Sequence, residues 1–285
     1  MVRWIAAAVL LGAVALAAGS WWMGSRLTAA AHRPVPVPAD LAVEAIKIPD
    51  PGSAGLAAWW AQASPERGAV LLLHSIRADR RSMVPRARLL LREGFSVLLV
   101  DLQAHGESPG ETITLGLRES GNARSALAWL RSRVPRGRIG VIGTSLGGAA
   151  VLLGPQPSGF DAIVLEAVYP DVRTAVQNRI RIRLGPLAPI VAPLLLAQLH
   201  PRLGVSPDDL RPITGIPRLG APVLVVAGQL DRHTTIAESE SLYAEAVPPK
   251  DLWVVAGARH QDFLSKDPDG YREHVVGFLR RHLLL

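Results

Sequence analysis

Cysteine is absent from this chain, which excludes a disulfide frame, a thiolate metal site and a cysteine nucleophile together. The absence leaves the compartment open, because a protein without thiols tolerates reducing and oxidising surroundings alike. Charged residues are few, 19% against 49% hydrophobic, a balance that provides a sizeable core and argues against disorder. The sequence has no His-Glu-x-x-His, no phosphate-binding glycine loop and no Gly-x-Gly-x-x-Gly after its first strand, so no metal or organic cofactor is expected. The net charge of +7 is carried mostly by scattered arginines, without a basic block, zinc-finger spacing or recognition helix. A nucleic-acid partner is therefore not expected, and the basic surface suits water or anionic lipid headgroups instead.

One long apolar run is present. From Trp4 to Gly24 there is no ionisable side chain, and the run closes on Trp21-Trp22-Met23. About 20 such residues in a helix reach across a hydrocarbon layer of about 30 Å, and paired tryptophans suit its interface. Residues 1–26 are expected to form a transmembrane anchor or signal segment. The alternative is a secreted protein freed by cleavage near Ala29-Ala30-Ala31. Arg3 at one end is nearly balanced by Arg26 and Arg33 at the other. The extracytoplasmic side is favoured for the remaining chain only because such N-terminal segments usually act as export signals. Residues 27–40 read as a linker, since His32–Pro38 alternates proline with other residues and cannot sustain a helix. A stiff, extended spacer is expected there.

From residue 41 to 285 short β-branched runs alternate with longer helical patterns. The strand candidates are Val43–Ile48, Leu56–Ala61, Ala69–His74, Val97–Asp101, Ile139–Gly143, Ala162–Glu166, Val223–Gly228 and Leu252–Ala256. Helical patterns fall on Met83–Glu93, Gly121–Arg133, the stretch after Ser145, Ile236–Glu245 and Tyr271–Leu284. This order predicts an α/β protein with a doubly wound, mostly parallel eight-stranded sheet, whose ligands bind at the carboxyl ends of the strands. Residues from about 170 to 217 break the alternation. Their proline-interrupted apolar run, Leu184–Leu199, reads as a helical cap inserted over the sheet edge or as a connecting helix packed on the core.

Gly143-Thr144-Ser145-Leu146-Gly147 follows a candidate strand and precedes a candidate helix. This is the context in which Gly-x-Ser-x-Gly presents a nucleophile on a strained turn. A serine hydroxyl needs a base, and the base needs an orienting carboxylate. Asp231 and His260 each lie just past a later strand, on the edge that carries Ser145 and in the chain order Ser, Asp, His. Glu166 and Asp171 are alternative carboxylates. His233 reads as a pocket-rim or capping residue, His74 as a buried structural donor, and His200, His274 and His282 as exposed. The oxyanion hole is expected from the amide of Leu146 and an amide after strand Ala69–His74, that of Ile76.

Together with Leu72-Leu73-His74-Ser75-Ile76 and Asp101-Leu102-Gln103-Ala104-His105-Gly106-Glu107-Ser108, these residues resemble the α/β-hydrolase superfamily. The similarity is greatest to its serine-aminopeptidase-like and dienelactone-hydrolase-like branches. The resemblance implies a serine esterase, lipase or thioesterase with a small acyl or lipid-like substrate, and a structural role for the Asp101–Ser108 stretch. His74-Ser75 stands where many relatives have His-Gly. An acyltransferase or peptidase on the same three residues, or a catalytically idle binding protein, are the other functions compatible with this sequence.

Overall fold

The computed structural model describes residues 1–64, 67–260 and 263–284. Eight strands form one sheet: β1 (Glu44–Ile48), β2 (Leu56–Ala61), β3 (Ala69–Leu73), β4 (Ser96–Val100), β5 (Ile139–Thr144), β6 (Ala162–Glu166), β7 (Val223–Gly228) and β8 (Lys250–Val255). Their order across the sheet is β8-β7-β6-β5-β3-β4-β2-β1. The pairs β1–β2 and β2–β4 are antiparallel, and every other pair is parallel. The central strands are buried along their whole length, as parallel strands covered on both faces must be. β1 lies at an edge and keeps Glu44 and Lys47 in solvent, which blunts unwanted pairing there.

The period of two divides the core. Trp60, Leu71 and Leu73 join one apolar cluster, while their neighbours Trp59, Val70 and Leu72 join the other. The first cluster is closed by α3 (Glu119–Arg133), α4 (Leu146–Leu153) and α8 (Ile236–Glu245). The second is closed by α2 (Val84–Arg92) and the helical stretch 268–283, whose Val275, Val276, Phe278 and Leu279 are all buried. That stretch is not a single α-helix, for a π turn at Arg272–Val276 interrupts it.

Between β6 and β7 lie α5 (Val172–Leu184), α6 (Ala188–Leu196) and α7 (Leu199–Leu203), followed by short 3₁₀ turns. They build two small apolar clusters of their own beside the main core. α1 (Val2–Thr28) is a continuous apolar helix, with a mean hydropathy of 1.9 over its most apolar window. The proline-rich segment after it is not a spacer held away from the domain. Ala31–His32 pairs with His105–Gly106, Val35 is buried, and the Val35 amide donates to Glu107 Oε1 at 3.1 Å. Alternating prolines do impose extension, but an extended strip can still donate to a neighbouring edge.

Candidate active site

β5 ends against the amino terminus of α4, and Ser145 forms the turn between them. Its backbone lies at φ 49°, ψ −105°, a region costly for any residue with a Cβ. The turn is held from beneath, where the Ser145 amide donates to the Glu166 carbonyl at the end of β6, at 2.8 Å. Two close approaches explain the glycines. A Cβ on Gly143 would stand 2.5 Å from the Gly148 nitrogen, and one on Gly147 would stand 2.5 Å from the Leu73 carbonyl oxygen. Ser145 Oγ is buried and has no hydrogen-bond partner among the described residues. Leu146 opens α4, so its amide belongs to the first turn, which has no partner within the helix. Leu146, Ile76 and Ser145 line one cavity of about 240 Å³.

Asp231 and His260 are brought together by the loops after β7 and β8, which are sewn to each other. Gln229 N–H donates to the Val255 carbonyl at 3.0 Å, Leu230 N–H to the Ala258 carbonyl at 2.7 Å, and Gly257 N–H to Gln229 Oε1 at 2.8 Å. In that frame Asp231 Oδ2 lies 2.7 Å from His260 Nδ1. Oδ1 of the same carboxylate accepts the amides of His233 at 2.7 Å and Thr234 at 3.1 Å. Asp231 is buried and His260 is partly exposed. His233 lines the cavity beside Ser145, and its ring centroid is 5.0 Å from that of His260. Burial first, and then the neighbouring His260, hold the His233 imidazole below its usual pKa range.

The other carboxylates are committed elsewhere. Glu166 is fully buried, paired with Arg86 and accepting from Thr144 Oγ1 at 3.0 Å and Tyr271 Oη at 2.6 Å. Asp171 caps α5 through the Thr174 amide and hydroxyl. His74 bridges two loops, with Nδ1 2.8 Å from the Ser75 carbonyl and Nε2 accepting the Leu102 amide at 3.1 Å. His200 and His274 are exposed, whereas His282 is partly covered, its ring 4.7 Å from that of Phe278. In the Asp101–Ser108 stretch, buried Asp101 pairs with Arg80, and Ser108 Oγ donates to the Asp101 carbonyl at 2.6 Å. The role of these groups is to hold the loop after β4.

Sequence reasoning missed much of the cavity wall. Met23, Gly24, Leu27 and Thr28 of α1 contribute to it, as do Arg179 of α5 and Gln198. The one signal in the sequence was Gly24, a position without a side chain close to the end of an apolar helix.

A serine on a strained strand-to-helix turn, with an Asp–His pair on the same rim of a doubly wound sheet, defines the α/β-hydrolase architecture. The chain belongs to the alpha/beta hydrolase family, whose profile matches residues 70–274. It is 27% identical over 218 residues to the uncharacterized protein YqkD of Bacillus subtilis (strain 168), covering 74% of this chain and 70% of YqkD. It is 33% identical over 199 residues to the uncharacterized protein Rv2307c of Mycobacterium tuberculosis (strain ATCC 25618 / H37Rv), covering 68% of this chain and 63% of that protein. Thus the match spans less than two thirds of the mycobacterial relative. Among solved structures, the Pyrococcus furiosus esterase Pf2001 shares the fold with a TM-score of 0.70 at 22% identity, over 88% of this chain and 99% of the other. A thermophilic esterase from Thermogutta terrifontis gives 0.59 at 20% identity, over 84% and 99% of the two chains.

Proposed function

We propose that this chain is a membrane-tethered serine hydrolase that cleaves carboxylic esters or thioesters through an acyl-enzyme on Ser145. The observation that carries the reading is the 2.7 Å contact of Asp231 Oδ2 with His260 Nδ1, on the rim where Ser145 occupies its strained turn. Asp231 fixes the tautomer that carries its proton on Nδ1, leaving Nε2 free to act as a base. The mechanism requires the Ser145 hydroxyl to meet Nε2 when substrate binds, as such bonds are often loose in unliganded enzymes and tighten in the complex.

Ser145 Oγ bonds to the acyl carbon while its proton passes to His260. The amides of Leu146 and Ile76 receive the negative charge that gathers on the carbonyl oxygen. The bond from carbon to the leaving oxygen or sulfur then breaks, and that atom takes the proton from His260. Water next attacks the acyl-enzyme, giving one proton to His260, and the carboxylic acid departs as Ser145 regains its hydrogen. Every step uses groups of this chain, water and the ester. The tether is α1, whose described side chains up to Gly19 are all exposed and whose length suits a bilayer crossing. The esterases among the fold neighbours point to the same chemistry.

Labelling of the full chain by a fluorophosphonate probe tests the proposal. Wild type is expected to label and to hydrolyse p-nitrophenyl esters, and Ser145→Ala to do neither. Ester hydrolysis undiminished in Ser145→Ala would remove the mechanism.

A further inference from the structure

A helix that serves only as a tether need not pack on the domain it holds. Up to Gly19 α1 behaves in that way, but from Ser20 onward it is fitted to the helices between β6 and β7. A Cβ on Gly24 would lie 2.2 Å from Gln198 Oε1 and 3.1 Å from Arg202 Nε, so the glycine leaves room for these two side chains against α1. Gln198 Nε2 reaches Ser20 Oγ at 3.4 Å. The Arg202 guanidinium sits 3.9 Å from the Trp21 ring centroid and donates to the Trp21 carbonyl. Met23 and Leu27 pack against Ile180, Ala188, Val191 and Leu195. At its far end the Thr28 carbonyl accepts the Ile113 amide at 2.8 Å, tying the helix to the main domain.

This docking places α1 in the wall of the cavity that Ser145 also lines. Met23, Gly24, Leu27 and Thr28 line it together with the aliphatic side chains of Val172, Val176, Ile180 and Leu195. Such walls bind hydrocarbon by excluding water from it. Arg77, Arg179, Arg183 and Arg202 also border the cavity. Among the described residues none of these four has a carboxylate within ion-pair distance. Arg77 and Arg202 donate to backbone carbonyls and the Gln198 amide oxygen, neither of which neutralises their charge, whereas Arg179 has the charges of Asp231 and Glu238 nearby.

We infer that α1 is a wall of the substrate pocket as well as a tether, and that the pocket takes an anionic amphiphile. The substrate is an acyl ester or thioester whose aliphatic chain lies against Met23 and Leu27 and whose negatively charged head meets the arginine rim. This rests on the reading of Ser145 as the nucleophile. It also separates this chain from one whose N-terminal segment is removed, because cutting after Thr28 would take away four of the residues that line the pocket.

The test uses the full chain in nonionic detergent or nanodiscs. Two substrate sets are compared: p-nitrophenyl esters from acetyl to palmitoyl, and single-chain lipids of one acyl length with phosphate or phosphocholine heads. Leu27→Trp and Met23→Trp are expected to lower the ratio of kcat/KM for long over short esters by about ten-fold or more. Leu10→Trp, on the exposed part of α1, is expected to keep the wild-type ratio. The phosphate head is expected to be preferred by wild type, and Arg183→Glu to remove the preference. An unchanged chain-length ratio in both pocket variants, with fluorophosphonate labelling intact, would overturn the inference, as would equal wild-type rates on the two heads. If wild type neither labels nor cleaves any ester, the nucleophile reading itself fails, and that outcome is distinct from either of the others.

Discussion

Asp231 holds two loops with one carboxylate: Oδ2 meets His260 Nδ1 at 2.7 Å, and Oδ1 accepts the amides of His233 and Thr234. The two oxygens can be tested separately. Asp231→Asn retains an oxygen for the two amides but can turn an N–H toward Nδ1, favouring the wrong tautomer of His260. We expect ester kcat to fall by about 10³–10⁴-fold with little change in the urea midpoint. Asp231→Ala should lose the same activity and a further ~2 kcal/mol of stability, because two amides lose a charged acceptor.

Glu166 and Arg86 form a fully buried pair beneath the turn at Ser145, with Tyr271 and Thr144 donating to the same carboxylate. Neutralising Glu166 takes from Arg86 its buried countercharge and from Tyr271 and Thr144 a charged acceptor. Glu166→Gln is expected to cost about 3–5 kcal/mol in urea denaturation. Any fraction that remains folded should still label at Ser145. A variant of wild-type stability that cannot be labelled would instead assign Glu166 to the chemistry.

The turn at Ser145 has no room for methyl groups on its flanks. At both Gly143 and Gly147 the added carbon would meet backbone atoms at 2.5 Å, and backbone cannot rotate aside as a side chain does. Gly143→Ala and Gly147→Ala should each destabilise by about 1–3 kcal/mol and slow probe labelling, because the strand, the helix and the serine must shift together. Gly121→Ala, with open space around its Cβ position, is the matched control and should do neither.

Two buried histidines make the fold sensitive to acid. The His74 and His105 rings lie 5.0 Å apart, and burial holds each pKa down to about 4 from the ordinary 6.5. Both stay neutral in the folded state while the unfolded chain takes up protons below about pH 6.5, so the unfolded state binds more protons in that window. Their contribution is therefore complete above about pH 6.5 and is lost as pH falls toward about 4. Each unit of depression corresponds to about 1.4 kcal/mol. Urea midpoints should drop between pH 7 and pH 5, and more gently in His105→Gln, which has one fewer such ring. Equal slopes in the two proteins would place the acid sensitivity elsewhere.

Much of the architecture was legible because it is written in short-range patterns. Alternation of β-branched runs with helical spacing located all eight strands to within two residues, since a strand buried on both faces has few other compositions open to it. The turn at Ser145 was legible for a similar reason: a strand, two glycines and a small-residue helix stand next to each other in the chain. Asp231 and His260 were singled out by strand ends together with the chain order Ser, Asp, His, with Glu166 and Asp171 left as alternatives. Two readings did not carry over. The proline-rich strip packs on the domain by pairing with His105–Gly106, and the terminal helix holds a π turn, and both depend on partners remote in sequence.

The amino-acid sequence by itself determined the secondary elements, their order and the strand ends at which Ser145, Asp231 and His260 emerge. Those follow from periodicity, steric limits on the backbone and the need to bury apolar surface locally. Which carboxylate faces His260 was a tertiary decision. Three acids lay near the rim, and Glu166 and Asp171 were taken by Arg86 and by the start of α5. The use of α1 was decided in the same way, because an apolar helix suits lipid and aliphatic protein surface equally well. The packing of Met23 and Leu27 on α5 and α6, the seat of Arg202 on Trp21 and the Ile113–Thr28 hydrogen bond bring its last turns into the wall beside Ser145.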